Sequence, residues 1–357
     1  MPGMASTISS FPPLFGVRRA LDCPPLERID FPAGDGTMLC LHHTSGGTRG
    51  PVVMTPGTAM TALTYCADTM PRNIVEFLVA RGFDVWLLDW RTSPLLEAHR
   101  HPYTLDDVAR HDWPAAIAQV QNRTGQDKVS VLAHCLSSPT FLLSLVRGYL
   151  NKTAIRSFVA SQVALHFQYT PVGMAKVHLY LDKLLPASDM VHQRPADSGA
   201  HIGDIAASIL SRVLPISFTC DNRACYRHAA TFGELIFHPR VNAATHALMG
   251  DLVPECLAAF LKDVAIQSRR DCILTDTDMR TLDRLALPIL FISGEQNKMF
   301  IPESTEKSFN LLAGANTESL YRRGVYEGFG HLDCYFGNGA EDEIWPDIAS
   351  ALDGHLP

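Results

Sequence analysis

Cys135 lies in the run Lys128-Val-Ser-Val-Leu-Ala-His-Cys-Leu-Ser-Ser138, where an apolar stretch ends in a cysteine with Ala133 two residues before it and Ser137 two residues after. A strand that turns sharply into a helix thrusts the residue at the bend outward in a strained backbone conformation. Its neighbours two away on either side must then be small. The helix that follows would lend its amides and dipole to a thiolate at Cys135. The Leu136 N–H would be one donor to an oxyanion formed beside the sulfur. The second would come from the turn Pro56-Gly57-Thr58-Ala59, through the amide of Thr58 or of Ala59.

A nucleophile of this kind needs a base. Gly328-Phe-Gly-His-Leu-Asp-Cys334 offers His331 on a glycine-flanked loop, after the nucleophile and after the last strand in chain order. His134, next to the nucleophile, is expected to pack or to line a substrate pocket. The group that orients the imidazole is open. Gly294-Glu-Gln-Asn-Lys-Met-Phe-Ile-Pro302 offers Asn297, as in Cys-His-Asn sites, or Glu295 if the loop bends. Asp333, two residues after His331, is expected to cap or pair locally. The chemistry would be attack of sulfur on an acyl carbonyl and passage through an acyl-thioester enzyme.

The elements that must carry these residues follow from hydrophobic patterning. Short strands are predicted at Glu27–Pro32 and Met38–His43. Pro51–Thr55, Phe83–Leu88 and Lys128–Leu132 then alternate with helices at Pro71–Arg81 and Thr104–Asn122. Continuous apolar runs separated by helices mean βαβ units and a mostly parallel sheet buried on both faces. A helix at Thr140–Leu150 and a strand at Ile155–Ser161 continue the pattern. It resumes at Pro288–Ser293, a helix from Glu303, Gly324–Tyr326 and a terminal helix, Glu341–Leu356.

Between these stretches the rhythm breaks. Residues 168–285 show helical spacing at Ile205–Leu214, Ala243–Leu248 and Cys256–Ala265, which predicts a helical cap inserted into a core of residues 1–167 and 286–357. Phe167 and Tyr169, with Leu165, Leu179, Tyr180 and Leu184, would give a hydrophobic pocket for an acyl chain.

Composition narrows the function class. With 46% hydrophobic and 19% charged residues, the 357-residue chain suits a large globular core. A net charge of −7 and the lack of any basic run argue against nucleic-acid binding. No apolar stretch reaches membrane-spanning length, and no secretory signal pattern stands at the start. Nine scattered cysteines without paired metal-ligand spacing predict reduced thiols in the cytoplasm and no metal.

In order along the chain, Pro56-Gly57, Ala-His-Cys135-Leu-Ser, Gly294-Glu-Gln-Asn297 and Gly-His331 resemble the α/β-hydrolase superfamily, from about residue 27 to 357. The cysteine elbow is similar to that of polyhydroxyalkanoate synthases and dienelactone hydrolases. Leu88-Asp-Trp-Arg, Tyr103-Thr-Leu-Asp-Asp-Val, Phe300-Ile-Pro-Glu-Ser-Thr and Gly330-His-Leu-Asp-Cys look closest to the hydrolase modules found alone or fused to cholesterol-oxidase-like flavoproteins. The resemblance implies the fold and the Cys135/His331 pair. The elbow departs from the pattern in lacking both glycines. So does Asn297, which stands where such hydrolases often hold an aspartate.

The expected activity is hydrolysis of an acyl ester or acyl thioester, without a cofactor. The substrate would be a hydrophobic acyl group, free or held on CoA or a carrier protein. Two alternatives remain open: an acyltransferase, cyclase or polymerase using the same intermediate, and an inactive hydrolase fold serving as a binding module. The sequence leaves the oligomeric state open.

Overall fold

Segments rich in Val, Leu and Ile, too short for helices and bounded by Gly, Pro or Asp, become strands here. The computed structural model describes residues 6–8, 19–179, 183, 185–194 and 201–357. The strands are β1 (Ser6–Ile8), β2 (Leu26–Pro32), β3 (Met38–Ser45), β4 (Pro51–Thr55), β5 (Asp84–Asp89), β6 (Val129–His134), β7 (Ile155–Ser161), β8 (Met190–His192), β9 (Glu255–Leu257), β10 (Ile289–Gly294) and β11 (Tyr321–Tyr326). Nine of them form one sheet in the order β1-β2-β3-β5-β4-β6-β7-β10-β11.

From β5 to β11 across that order the strands run parallel. β3 pairs antiparallel with both β2 and β5. Every residue of β4, β6 and β10 is buried, as strands covered by helices on both faces must be. The sheet is therefore mostly parallel and flanked by helices, as predicted. Parallel order also brings the C-terminal ends of β4, β6, β7, β10 and β11 to one edge, where an α/β sheet places ligands.

Local chemistry sets the helix limits. Asn73 and Glu76 form a reciprocal capping box, so the first helix starts at Ile74 and leaves Pro71 outside. The helix expected over Thr104–Asn122 is interrupted: Val108–Asp112 is π-helical, and Asp112 turns inward to pair with Arg91. Between β7 and β10 lie the helices Pro171–His178, Ile202–Val213, Arg223–Thr231, Ala243–Ala247 and Ala258–Ser268. Cys256, expected to open a helix, instead lies in β9, which pairs antiparallel with β8 in a small second sheet. The three residues Glu-Cys-Leu are too few to distinguish the two periods. Among the described residues no helix is long and apolar enough to cross a membrane.

Candidate active site

Cys135 is the first residue after β6 and adopts φ +58, a left-handed conformation that costs a non-glycine residue strain. Ala133 and Ser137 are fully buried against the strand and the following helix, Ser137–Val146. Ser137 locks the bend: its Oγ donates to the carbonyls of His134 at 2.8 Å and Thr55 at 3.2 Å. Among the described residues, the non-glycine residues at positive φ are Ala59, Cys135 and Gln162. They follow β4, β6 and β7, so the strain gathers at the edge where a site would form.

The Leu136 and Thr58 amides face the Cys135 sulfur and pull its pKa down, but burial outweighs them and pushes the thiol up to about 12. At rest Cys135 is therefore a neutral thiol, a correction to the thiolate expected from the helix N-terminus alone. Ala59 is buried beyond Thr58 in the same turn. Close approach fixes this turn: a Cβ on Gly57 would lie 2.9 Å from Cys135 Cβ and 3.5 Å from its Sγ.

Asp89, at the end of β5, anchors the turn from behind. One carboxylate oxygen accepts from the Ala62 amide at 2.7 Å and the other from Thr61 Oγ1 at 3.2 Å. His42 Nε2 lies 2.8 Å from that second oxygen, and His42 and Asp89 are both fully buried.

His331 and Cys135 line one cavity of about 180 Å³, in which Gly57, Thr58 and His134 also take part. His134 stands between the loops. Its ring centroid is 4.7 Å from that of His331, and its Nδ1 lies 3.1 Å from Ser161 Oγ. Burial lowers the His331 pKa to about 3 and that of His134 well below the usual imidazole value, with the neighbouring ring adding to the second shift. Both imidazoles are neutral at pH 7. Among the described residues no hydrogen bond joins Cys135 Sγ to His331, and His331 Nδ1 is buried without a partner.

The residues expected to orient that imidazole are held elsewhere. Asn297 Oδ1 accepts from the amides of Met299 and Phe300 at 3.0 and 3.1 Å, and its Nδ2 donates to Gln162 Oε1 at 2.9 Å. Glu295 is exposed and accepts the Gly328 amide at 3.0 Å. Asp333 takes the local role expected of it: its carboxylate accepts from Gly330 N at 2.7 Å and Phe237 N at 3.0 Å, and burial raises its pKa to about 7. It thereby fastens the His331 loop to the segment 232–237, which also accepts the Leu332 amide through the Leu235 carbonyl.

Of the aromatic pocket residues foreseen, Tyr169 lines the cavity and its hydroxyl lies 2.6 Å from Ser268 Oγ. Phe167 sits one layer back, its ring 5.4 Å from that of Phe300, which does line the cavity. Leu165 is fully buried in the core and Leu179 is 69% exposed. Tyr180 and Leu184 lie outside the described residues. Met60, Phe232, Met299 and Lys176 also line the cavity, and no local pattern in the sequence points to them. Lys176 Nζ donates to the carbonyls of Ala229, Ala230 and Phe232, closing a helix end, and burial lowers its pKa to about 8.

No family model matches the chain. The poly(3-hydroxyalkanoate) polymerase subunit PhaC of Haloferax mediterranei is 24% identical over 293 residues, 80% of this chain and 55% of that protein. The chain thus spans about half the length of the curated relatives it matches. The monoacylglycerol lipase of Paleococcus ferrophilus superposes with a TM-score of 0.53 at 17% identity, covering 92% of this chain and 99% of the lipase. The structure of DcsB in complex with its substrate analogue gives 0.56 at 12% identity, over 93% and 100%. With the parallel sheet, the strained turn after β6 and these neighbours in view, the chain is an α/β-hydrolase-fold protein.

Proposed function

We propose that the chain is an acyl-ester or acyl-thioester hydrolase whose nucleophile is Cys135 and whose base is His331. The observation that carries this reading is the sulfur at φ +58, faced by two backbone amides, at the floor of a largely apolar cavity it shares with a neutral imidazole. His331 takes the thiol proton as sulfur attacks the acyl carbonyl, and the Leu136 and Thr58 amides hold the oxyanion. The intermediate collapses, the leaving thiolate or alkoxide takes the proton from His331, and an acyl-thioester enzyme remains. Water, activated by His331, releases the acid and restores the thiol.

A thioester suits this sulfur best, because exchange between two thioesters is nearly balanced in energy whereas an alkoxide is the poorer leaving group. Residues 168–285 act as the cap over the nucleophile and supply the apolar wall for an acyl chain. The reading includes a reducing compartment such as the cytoplasm, in which the nine cysteines stay thiols. Its substrate is a small hydrophobic acyl donor, free or bound to CoA or a carrier protein.

The polymerase relatives and the largely apolar lining of the cavity favour a second reading, in which a substrate hydroxyl replaces water and the product is a transferred acyl group. Product analysis with and without an alcohol acceptor separates the two. Kinetics on a series of acyl thioesters and esters tests the shared part. Cys135→Ala and His331→Ala should each lower kcat/KM by about a thousandfold or more. Unchanged turnover in either variant would place the chemistry away from that residue, and a native chain that turns over none of these substrates would favour the inactive-module reading.

A further inference from the structure

Away from the cavity floor, four metal-binding side chains converge in the segment between β7 and β10. The donor atoms of Cys220, Cys225, His238 and His246 all lie within 4.8 Å of one another. One pair is already at ligand spacing, with Cys225 Sγ 3.4 Å from His246 Nε2. All four cysteine and histidine positions belong to described residues, and both cysteines are free thiols. We infer that these four residues form a structural zinc site, bound as a tetrahedral Cys2His2 centre.

The chemistry selects the ion. Two thiolates and two imidazoles form the donor set that zinc takes in closed structural sites. Bonds of about 2.3 Å to sulfur and 2.0 Å to nitrogen set tetrahedral donors about 3.3–3.8 Å apart. Small side-chain rotations bring the present set to that size. Two thiolates also neutralise a divalent cation, and their protons leave to solvent on binding.

The surroundings hold the ligands in place. Tyr226 Oη both donates to the Cys220 carbonyl and accepts its amide at 3.1 Å. Asn222 caps the helix Arg223–Thr231, which carries Cys225, while its Nδ2 donates to the His246 carbonyl at 2.7 Å. Phe218 lies against the His238 ring, centroids 4.3 Å apart. Nε2 of His238 is buried with no hydrogen-bond partner, as a nitrogen awaiting a metal would be. The order Cys-x4-Cys-x12-His-x7-His matches no compact metal motif, which is why sequence spacing predicts no metal. The staple would fasten segment 226–237, whose Phe232 and Leu235 wall the cavity and whose Phe237 amide holds Asp333.

The test uses the full chain, untagged, expressed in the cytoplasm and purified under reductant in a Cys135→Ala background, so that the cavity thiol cannot bind. Elemental analysis should find about one zinc per chain. After chelation, Co(II) should give the visible ligand-field bands and thiolate charge-transfer band of a tetrahedral Cys2His2 centre, and Zn(II) should restore the thermal midpoint. Cys225→Ser should weaken zinc by more than about a hundredfold, beyond the loss of an outer partner. The half-buried Cys220→Ser and His246→Ala serve if that variant does not fold, and should weaken it in the same direction. Substoichiometric zinc with no Co(II) spectrum overturns the inference. So does full metal retention in these variants, or a Cys220–Cys225 disulfide in protein alkylated at lysis.

Discussion

Asn297 donates through Nδ2 to Gln162 Oε1 at 2.9 Å, and the same oxygen accepts the Gly294 amide at 3.1 Å. Gln162 sits at φ +75 immediately after β7, fully buried, and its Nε2 donates to Cys334 Sγ. Two side-chain amides thus tie the loops after β7 and β10 together, at the place where a triad would need a carboxylate. A carboxylate there could still accept the Met299 and Phe300 amides, but its second oxygen would be set against Gln162 Oε1, an acceptor to which it has no proton to donate. Asn297→Asp is therefore expected to lose the bond to Gln162 and about 1–3 kcal/mol of stability without raising kcat. Thermal unfolding and steady-state rates on one acyl thioester check both halves.

The turn that carries Thr58 depends on glycine. Gly57→Ala would drive a methyl into Cys135 Cβ at 2.9 Å and His134 Cδ2 at 3.4 Å, so loop or nucleophile must move. A displacement near 1 Å at the reacting atoms is expected to lower kcat by about 10–100-fold while the melting temperature changes little. Unchanged kcat would mean that the Thr58 amide is not used.

Asp89 should matter through the same turn. Asp89→Ala removes the acceptor for Ala62 N and Thr61 Oγ1 and leaves His42 buried beside a void. The expected cost is about 2–4 kcal/mol, with kcat falling more than KM rises, because the turn holding Thr58 loosens. Asp89→Asn keeps one acceptor and should recover part of kcat.

Acid should destabilise the fold. Burial lowers the pKa of His331 to about 3 and of His228 to about 4, and places His134 well below the usual value. Between these values and about 6.5 the unfolded chain binds more protons than the folded one, so stability falls as pH falls through that window. His331 alone contributes on the order of 3 kcal/mol by pH 4. Asp333, raised to about 7, works in the opposite direction below neutrality and offsets part of this. Thermal midpoints measured from pH 7.5 to 4 should decline steadily. His331→Phe should flatten that decline.

Much of the frame is legible in the sequence, for reasons that particular elements make plain. β4 occupies its predicted span because a strand buried on both faces is written as a largely apolar run, and β7 also does so although Arg156 and Ser157 interrupt its apolar residues. The bend at Cys135 is legible because its steric demands fall on Ala133 and Ser137, two residues away in the chain. What fails to show is long-range. The partner of Asn297 is Gln162, 135 positions away, and no local pattern announces it. Phe167 is the pocket residue that the sequence suggests, yet packing sets Phe300 on the cavity and Phe167 behind it. The Cys220, Cys225, His238 and His246 cluster forms through the folding of several short helices, whose ends are set by caps such as Asn222 and Asn242.

The central claim is a covalent one, so it is best tested by weighing the protein. The enzyme mixed with an acyl thioester and quenched within the first turnovers should gain the mass of one acyl group, mapped to the peptide containing Cys135. Cys135→Ala should gain nothing and turn over nothing. An unmodified Cys135 together with full activity in Cys135→Ala would contradict the account.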